Sequence, residues 1–174
     1  MSSLDLQYIA ELVPHAQEGD SNAFAELFAA TYQRQYAFAF AYLRDEFLAQ
    51  QALTQAYTQA LKHLSSLRDP SLFILWLNQW MLRACLTLEA AGVPAGQAHE
   101  HHQLDLDGVP CSVRQILTLP LSEAQTLLLS RLCGMKPRAI AALLEIRKSD
   151  VRRHMLSGLR RIKTLYGKKE GEAS

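Results

Sequence analysis

Apolar residues recur at helical spacing along almost the whole chain, and no stretch alternates in the strand manner over a useful length. The first run, Leu4 to Leu12, places Ile9, Leu12 and Val13 at helical spacing, and Pro14 must then start, kink or end a helix. Gly19-Asp20-Ser21 interrupts the pattern, with Asp20 or Ser21 able to cap the next helix. Phe24, Leu27, Phe28, Thr31, Tyr32, Phe38, Ala39 and Tyr42 then predict a helix of about five turns, up to a break at Arg44-Asp45-Glu46. Ala49, Ala52, Leu53, Ala56, Tyr57, Ala60, Leu61 and Leu64 form the stripe of a third helix. Asp69-Pro70 reads as an N-cap followed by proline at the first helical position. The fourth helix it opens is predicted to bury Phe73, Trp76, Leu77, Trp80, Ala84 and Leu88 and to stop at Gly92.

From Gly92 to Pro110 the periodicity lapses into Gly, Pro, His and Asp, which predicts a linker over residues 93–112. A structureless loop of that length is uncommon inside one compact domain, so the chain divides into helical domains at 1–92 and 113–168. Val113, Ile116 and Leu117 resume the helical spacing, and Leu119-Pro120 ends that turn. Ser122-x-x-Gln125 has the form of a capping box for a helix through Leu127, Leu128, Arg131 and Leu132, with Gly134 at its C-terminal stop. Pro137 opens a short helix with Ile140, Ala141 and Leu144. The turn Glu145-Ile146-Arg147 comes next, then a helix with Val151, Met155, Leu159 and Ile162. The predicted fold is all-α: two small helical domains joined by a flexible linker, the second a helix-turn-helix.

Charge adds the next step. The net charge of +1 conceals five Lys/Arg against twelve Asp/Glu from Met1 to Pro110, and thirteen against five from Cys111 to Ser174. Only the second half suits a polyanion, although the same split would also let the two domains attract one another. Hydrophobic residues at 49% mark a globular chain. No apolar run reaches the roughly 18 residues of a membrane span. The start, Met1-Ser2-Ser3-Leu4-Asp5, lacks the basic flank and apolar stretch of a signal peptide, so a cytoplasmic protein with no membrane partner is expected.

Two helices, a three-residue turn and a longer basic helix form the helix-turn-helix pattern. Ala141 or Ala142 allows the helices to cross closely, Ile146 plugs the angle, and Val151, Met155 and Leu159 supply a buried face. The candidate DNA-binding residues are Arg138, Arg147, Lys148, Ser149, Arg152, Arg153, His154 and Arg160. Those near the helix N-terminus suit base edges, where Arg152 or Arg153 has the fork that matches guanine. Later ones suit phosphates. A basic face alone is equally the solvated side of an ordinary bundle; the turn, the crossing alanine and the plug residue favour DNA.

The chain resembles the extracytoplasmic-function sigma factors of bacterial RNA polymerase. The resemblance rests on Leu12-Val13, Ala16-Gln17, Gly19-Asp20, Ala23-Phe24, Leu27-Phe28 and Tyr32 in front, then Leu64, Leu67-Arg68, Phe73 and Trp76-Leu77. Leu119-Pro120-Leu121-Ser122, Gln125, Leu127-Leu128-Leu129, Gly134, Ile140-Ala141, Leu144, Ile146, Val151, Leu159 and Leu165 carry it through the second domain. It implies a helical promoter-melting domain, a linker that threads polymerase, and a helix-turn-helix that reads the upstream promoter element. Promoter DNA and core RNA polymerase are the implied partners, with an anti-sigma factor or self-association as a further one. Gln50, Gln51, Gln55 and Tyr57 are the implied polymerase contacts.

The first domain departs from the family pattern and reads as degenerate. Where the family places acidic residues on the third helix, this chain has Gln50, Gln51 and Gln55, which keep size and lose charge-assisted hydrogen bonds. On the fourth helix, where the family carries an Asn, an Asp and several Arg, only Arg83 is basic. Glu145 occupies a turn position where the family often has Gly, which implies an ordinary φ or mild strain. Three readings stay open: a divergent sigma factor; a sigma-like DNA-binding regulator whose first domain holds a partner or a second copy, with Leu82 and Leu86 as the exposed interface; and a helical adaptor that binds protein alone.

Other chemistry finds little support. Cys85, Cys111 and Cys133 are odd in number and widely spaced, which fits small thiols rather than a disulfide framework or a metal site. His99, Glu100, His101 and His102 cluster in the linker without defined ligand geometry, so no metal or cofactor is expected. No nucleophile elbow, phosphate-binding glycine loop or HExxH pattern is present; an enzyme with a small-molecule substrate is not expected.

Overall fold

The computed structural model describes residues 3–92 and 111–166, and every regular element among them is helical. The chain divides into two compact units, Met1–Pro110 and Cys111–Ser174. The first holds α1 (Ser3–Gln17), α2 (Ser21–Leu43), α3 (Glu46–His63) and α4 (Phe73–Ala90), with short 3-10 turns at Leu64–Ser66 and Pro70–Leu72. The second holds α5 (Cys111–Leu117), α6 (Leu121–Arg131), α7 (Pro137–Leu143) and α8 (Lys148–Tyr166). Residues 93–110, including most of the predicted linker and its histidine cluster, lie outside the described residues. Cys111 already belongs to α5, so helix begins two residues before the predicted second domain.

Side-chain caps define the ends of the first unit's helices. Asp20 caps α2 by accepting from the backbone N–H groups of Asn22 and Ala23 at 2.8 and 3.3 Å. Arg44 turns left-handed at φ 57°, and its N–H donates to the Phe40 carbonyl at 2.9 Å. Asp45 caps α3 through the Leu48 N–H at 2.8 Å. Pro14 sits in the last turn of α1, where losing one backbone donor leaves the helix intact to Gln17. The Gln17 amide reaches across to the carbonyls of Leu64 and Leu67 at 2.9 and 2.8 Å, tying the end of α1 to the bend before α4.

The first core forms where α3 packs against both α2 and α4. Ala49, Ala52, Ala56 and Ala60 are all buried, and their small size lets α3 approach its neighbours closely. Phe38, Tyr42, Phe73, Leu77 and Met81 fill the space around them. Polar contacts are also sealed inside. Gln35 donates to the Asn78 side-chain oxygen at 2.9 Å, and the Thr31 and Tyr57 hydroxyls meet at 2.7 Å. Thr31 already donates its proton to the Leu27 carbonyl, so Tyr57 donates to Thr31.

Four expectations for this unit change. Leu61 is 55% exposed, because α2 and α4 cover only the alanine side of α3. Leu82 is buried and Leu86 half-buried, so Leu82 is unavailable to the interface expected there and Leu86 is only partly open; α4 packs on α1, α2 and α3, and its buried band is correspondingly wide. Trp76 and Trp80, expected in the core, are half-buried at its edge. Asp69-Pro70 caps the 3-10 turn, and the α-helix starts only at Phe73.

In the second unit α6 packs on α8, and α7 and α5 each touch both. Leu127, Leu128, Leu129, Ile140 and Val151 are almost wholly enclosed. Gly134 has φ 66°, and past it the Met135 N–H returns to the Leu129 carbonyl at 3.0 Å. The predicted capping box at Ser122 is not a cap. Pro120 occupies the N-cap position with no side-chain bond, so Ser122 falls inside the first turn.

Candidate nucleic-acid interface

Pro137 opens α7, where its missing N–H costs nothing, and Ile140 anchors that helix at 0% exposure. The turn is closed by two backbone bonds, Leu144 N–H to the Ile140 carbonyl at 2.9 Å and Ile146 N–H to the Ala141 carbonyl at 3.0 Å. Glu145 takes the left-handed φ of 53°, strained for a residue with a side chain. The Arg147 carbonyl then accepts from Asp150 and Val151 at 2.9 and 3.2 Å and starts α8. Ala141 is half-buried and Ala142 exposed, which makes Ala141 the crossing residue; Ile146 is half-buried in the angle.

The buried face of α8 is narrower than the spacing predicts. Val151 and Gly158 are buried, Met155 and Ile162 half-buried, and Leu159 is 37% exposed. Gly158 is the residue that sequence reasoning missed. A Cβ there would lie 2.8 Å from the Leu127 Cδ1, 3.3 Å from the Leu119 Cδ1 and 3.4 Å from the Glu123 Cβ. Its bare backbone lets α8 sit directly on α6. A glycine inside a basic helix is the only sequence trace of that contact.

Beside Gly158, the buried Glu123 of α6 clasps α8. The Ser157 hydroxyl donates to Glu123 Oε1 at 2.8 Å, and the Arg161 Nε lies 3.3 Å from Oε1 and 3.2 Å from Oε2. Asp150 forms a further ion pair, 2.8 Å from Arg153, in the first turn of α8 where a carboxylate also suits the helix dipole. Two of the acids near α8 are therefore engaged by its own arginines, and the surface left over is basic. Arg138, Arg147, Lys148, Ser149, Arg152, Arg153 and Arg160 are all exposed, and His154 is half-buried at the flank. Among the described residues Arg152, Arg160 and Lys163 have no carboxylate partner. Ser149, Arg153 and Arg160 share the side of α8 opposite Val151, and Arg152 flanks them about 100° from it.

The residues matched to a polymerase contact lie on α3. Gln50 is exposed, Gln51 and Gln55 are half-buried, and Tyr57 is only 6% exposed. Tyr57 has its hydroxyl committed to Thr31, and burial raises its phenol above the ordinary range, so it supports the wall from within. An open groove of about 240 Å³ runs between Phe28, Tyr32, Gln50, Leu53, Thr54 and Tyr57. A second, of about 540 Å³, lies on the other side of α3 between Gln55, Thr58, Gln59, Trp80, Arg83 and Thr87. There the Arg83 guanidinium sits 4.8 Å from the centre of the Trp80 ring and His63 stacks on that ring at 5.0 Å. Along α2, Phe28, Tyr32, Tyr36 and Phe40 form a ladder of rings one turn apart.

Among the described residues no three His, Cys, Asp or Glu side chains gather as a metal site, and no helix is long and apolar enough to cross a membrane. No protein-family model matches the chain, and no curated protein matches it. Among solved structures it is similar to CnrH in complex with the cytosolic domain of CnrY. The identity is 19% and the TM-score 0.49, over 91% of this chain and 96% of that one.

Proposed function

We propose that this protein is a sigma-type initiation factor that directs RNA polymerase to promoters from within the cytoplasm. In this reading α8 docks in the major groove of promoter DNA. The observation that carries it is the turn-presented helix whose outward side holds Ser149, Arg152, Arg153 and Arg160 while Asp150 and Glu123 engage arginines of the same helix. Arg147, Lys148 and the α8 N-terminus address base edges and nearby phosphates, with Arg138 and His154 on the flanks. Gln50, Gln51 and Gln55 meet core polymerase by shape and neutral hydrogen bonds, with Tyr57 buttressing that wall.

A second reading draws on the two open grooves beside α3, which present rings, amides and hydroxyls. The chain would then be a sigma-like DNA-binding regulator whose first unit holds an anti-sigma protein, another protein partner or a second copy. Gel filtration of the full chain with core polymerase, coupled to transcription from a genomic promoter library, separates the two. Co-elution with promoter-dependent transcripts supports the initiation factor. Salt-sensitive DNA binding without co-elution supports the regulator, and absence of both leaves a protein-binding adaptor. Where DNA binds, each phosphate contact contributes about 0.9 to the slope of log affinity against log salt, so R152A/R160A should flatten it by about 2.

A further inference from the structure

One apolar side chain stands on the basic side of α8 where no packing accounts for it. Leu156 is 56% exposed. Helical spacing places Arg152 and Arg153 one turn before it, Ser149 two turns before, Arg160 one turn after and Lys163 two turns after, all exposed. It lies roughly 140° around the helix from the buried Val151, well away from the core of its unit. The surface is thus an apolar point ringed by cations.

The complement of such a surface is an apolar point ringed by anions. A second copy of α8 would bring like charges together. An anionic membrane surface calls for a broad apolar face, and here the exposed leucines Leu156, Leu159 and Leu165 are spread around α8, with Leu165 on the far side from Leu156. The DNA major groove fits both parts: phosphates line its rims, and the apolar group on its floor is the C5-methyl of thymine. We infer that Leu156 is a specificity-determining residue that reads a thymine methyl, which rests on the major-groove docking of α8 proposed above. Arg152 and Arg160 then hold the flanking phosphates, and Leu156 adds a base preference that electrostatic attraction alone does not give.

The test uses the full chain, alone and with core polymerase, on duplexes selected from a randomised pool. Each thymine of the selected site is replaced in turn by deoxyuridine, which removes only the methyl, and affinity is read by fluorescence anisotropy. One replacement should weaken the wild type about four-fold, the scale of one methyl withdrawn from water. L156A should be blind to that same replacement, with an unchanged salt slope and helical content. Equal sensitivity in both proteins, or none in the wild type, overturns the inference while leaving DNA docking intact. L156A converting a dimer to a monomer, with no methyl effect, assigns the leucine to a self-contact and also overturns it. Absence of any salt-sensitive DNA binding overturns the docking and the inference together.

Discussion

Replacing Arg161 should destabilise the second unit more than replacing Glu123, although the two form one ion pair. Arg161→Met keeps most of the apolar stem and deletes the charge. It strands the carboxylate of a 7%-exposed residue with the Ser157 hydroxyl at 2.8 Å as its remaining donor. A buried charge that loses its partner costs about 3–5 kcal/mol. The surviving bond and the shallow depth bring the expected loss to about 2–3 kcal/mol. Glu123→Gln acts differently. The amide oxygen still accepts from Ser157, and the Arg161 side chain, already 58% exposed, turns to water. The expected loss is about 1 kcal/mol. Both tryptophans, Trp76 and Trp80, belong to the first unit. Tryptophan fluorescence during urea unfolding therefore reports that unit, while far-UV circular dichroism reports both. The dichroism transition of the second unit should move to lower urea in the order wild type, E123Q, R161M, with the fluorescence transition fixed. E123Q costing as much as R161M would refute the reasoning about the buried carboxylate, and a shifted fluorescence transition would refute the independence of the two unfolding events.

Single residues elsewhere carry further expected outcomes. Cys111 is exposed, whereas Cys85 and Cys133 are buried and burial pushes the Cys133 thiol up to about 12. A disulfide reagent at pH 8 should modify one thiol quickly in the native chain and three in denaturant. Tyr57 has its phenol raised by burial above the ordinary value of 10.0, so its contribution is complete below about pH 10 and is lost as pH climbs through the raised folded value. Unfolding midpoints at pH 8 and pH 11 should differ less in Y57F, which loses about 1 kcal/mol at pH 8 for the missing bond to Thr31. Glu145→Gly relieves the left-handed φ of 53° and should raise stability by up to about 1 kcal/mol, read by circular dichroism melting of the second unit; a clear loss would mean that the Glu145 side chain holds the turn.

Helix placement is legible in the sequence because the signals are local. Asp20 and the break at Arg44-Asp45-Glu46 mark real caps, and Pro137 and Gly134 stand where helix geometry asks for them. Which side of each helix is covered is less legible, since periodicity marks a face without showing how many neighbours it meets. Leu61 and Leu82 depart from expectation in opposite directions for that reason: α3 turns its alanines to two partners, while α4 meets three. The basic residues of α8 can be named from spacing, but the clasps that select among them cannot. Glu123 lies far along the chain from Ser157 and Arg161, and nothing in the order of residues joins them.

Gly158 determines more than a distance. A position where even a Cβ would press on the Leu127 terminal methyl works as an index mark between two helices: it favours the register of α8 on α6 that brings the bare backbone to Leu127. Sliding α8 by one residue would press Ser157 or Leu159 into the gap and swing every outward side chain by about 100°. The choice of residues shown to solvent is thus made on the hidden side of the helix, by an atom that is absent. Substitutions on the outer side can alter what is read without disturbing registration, while a methyl at Gly158 would have to displace the Leu127 terminal methyl and crowd that of Leu119.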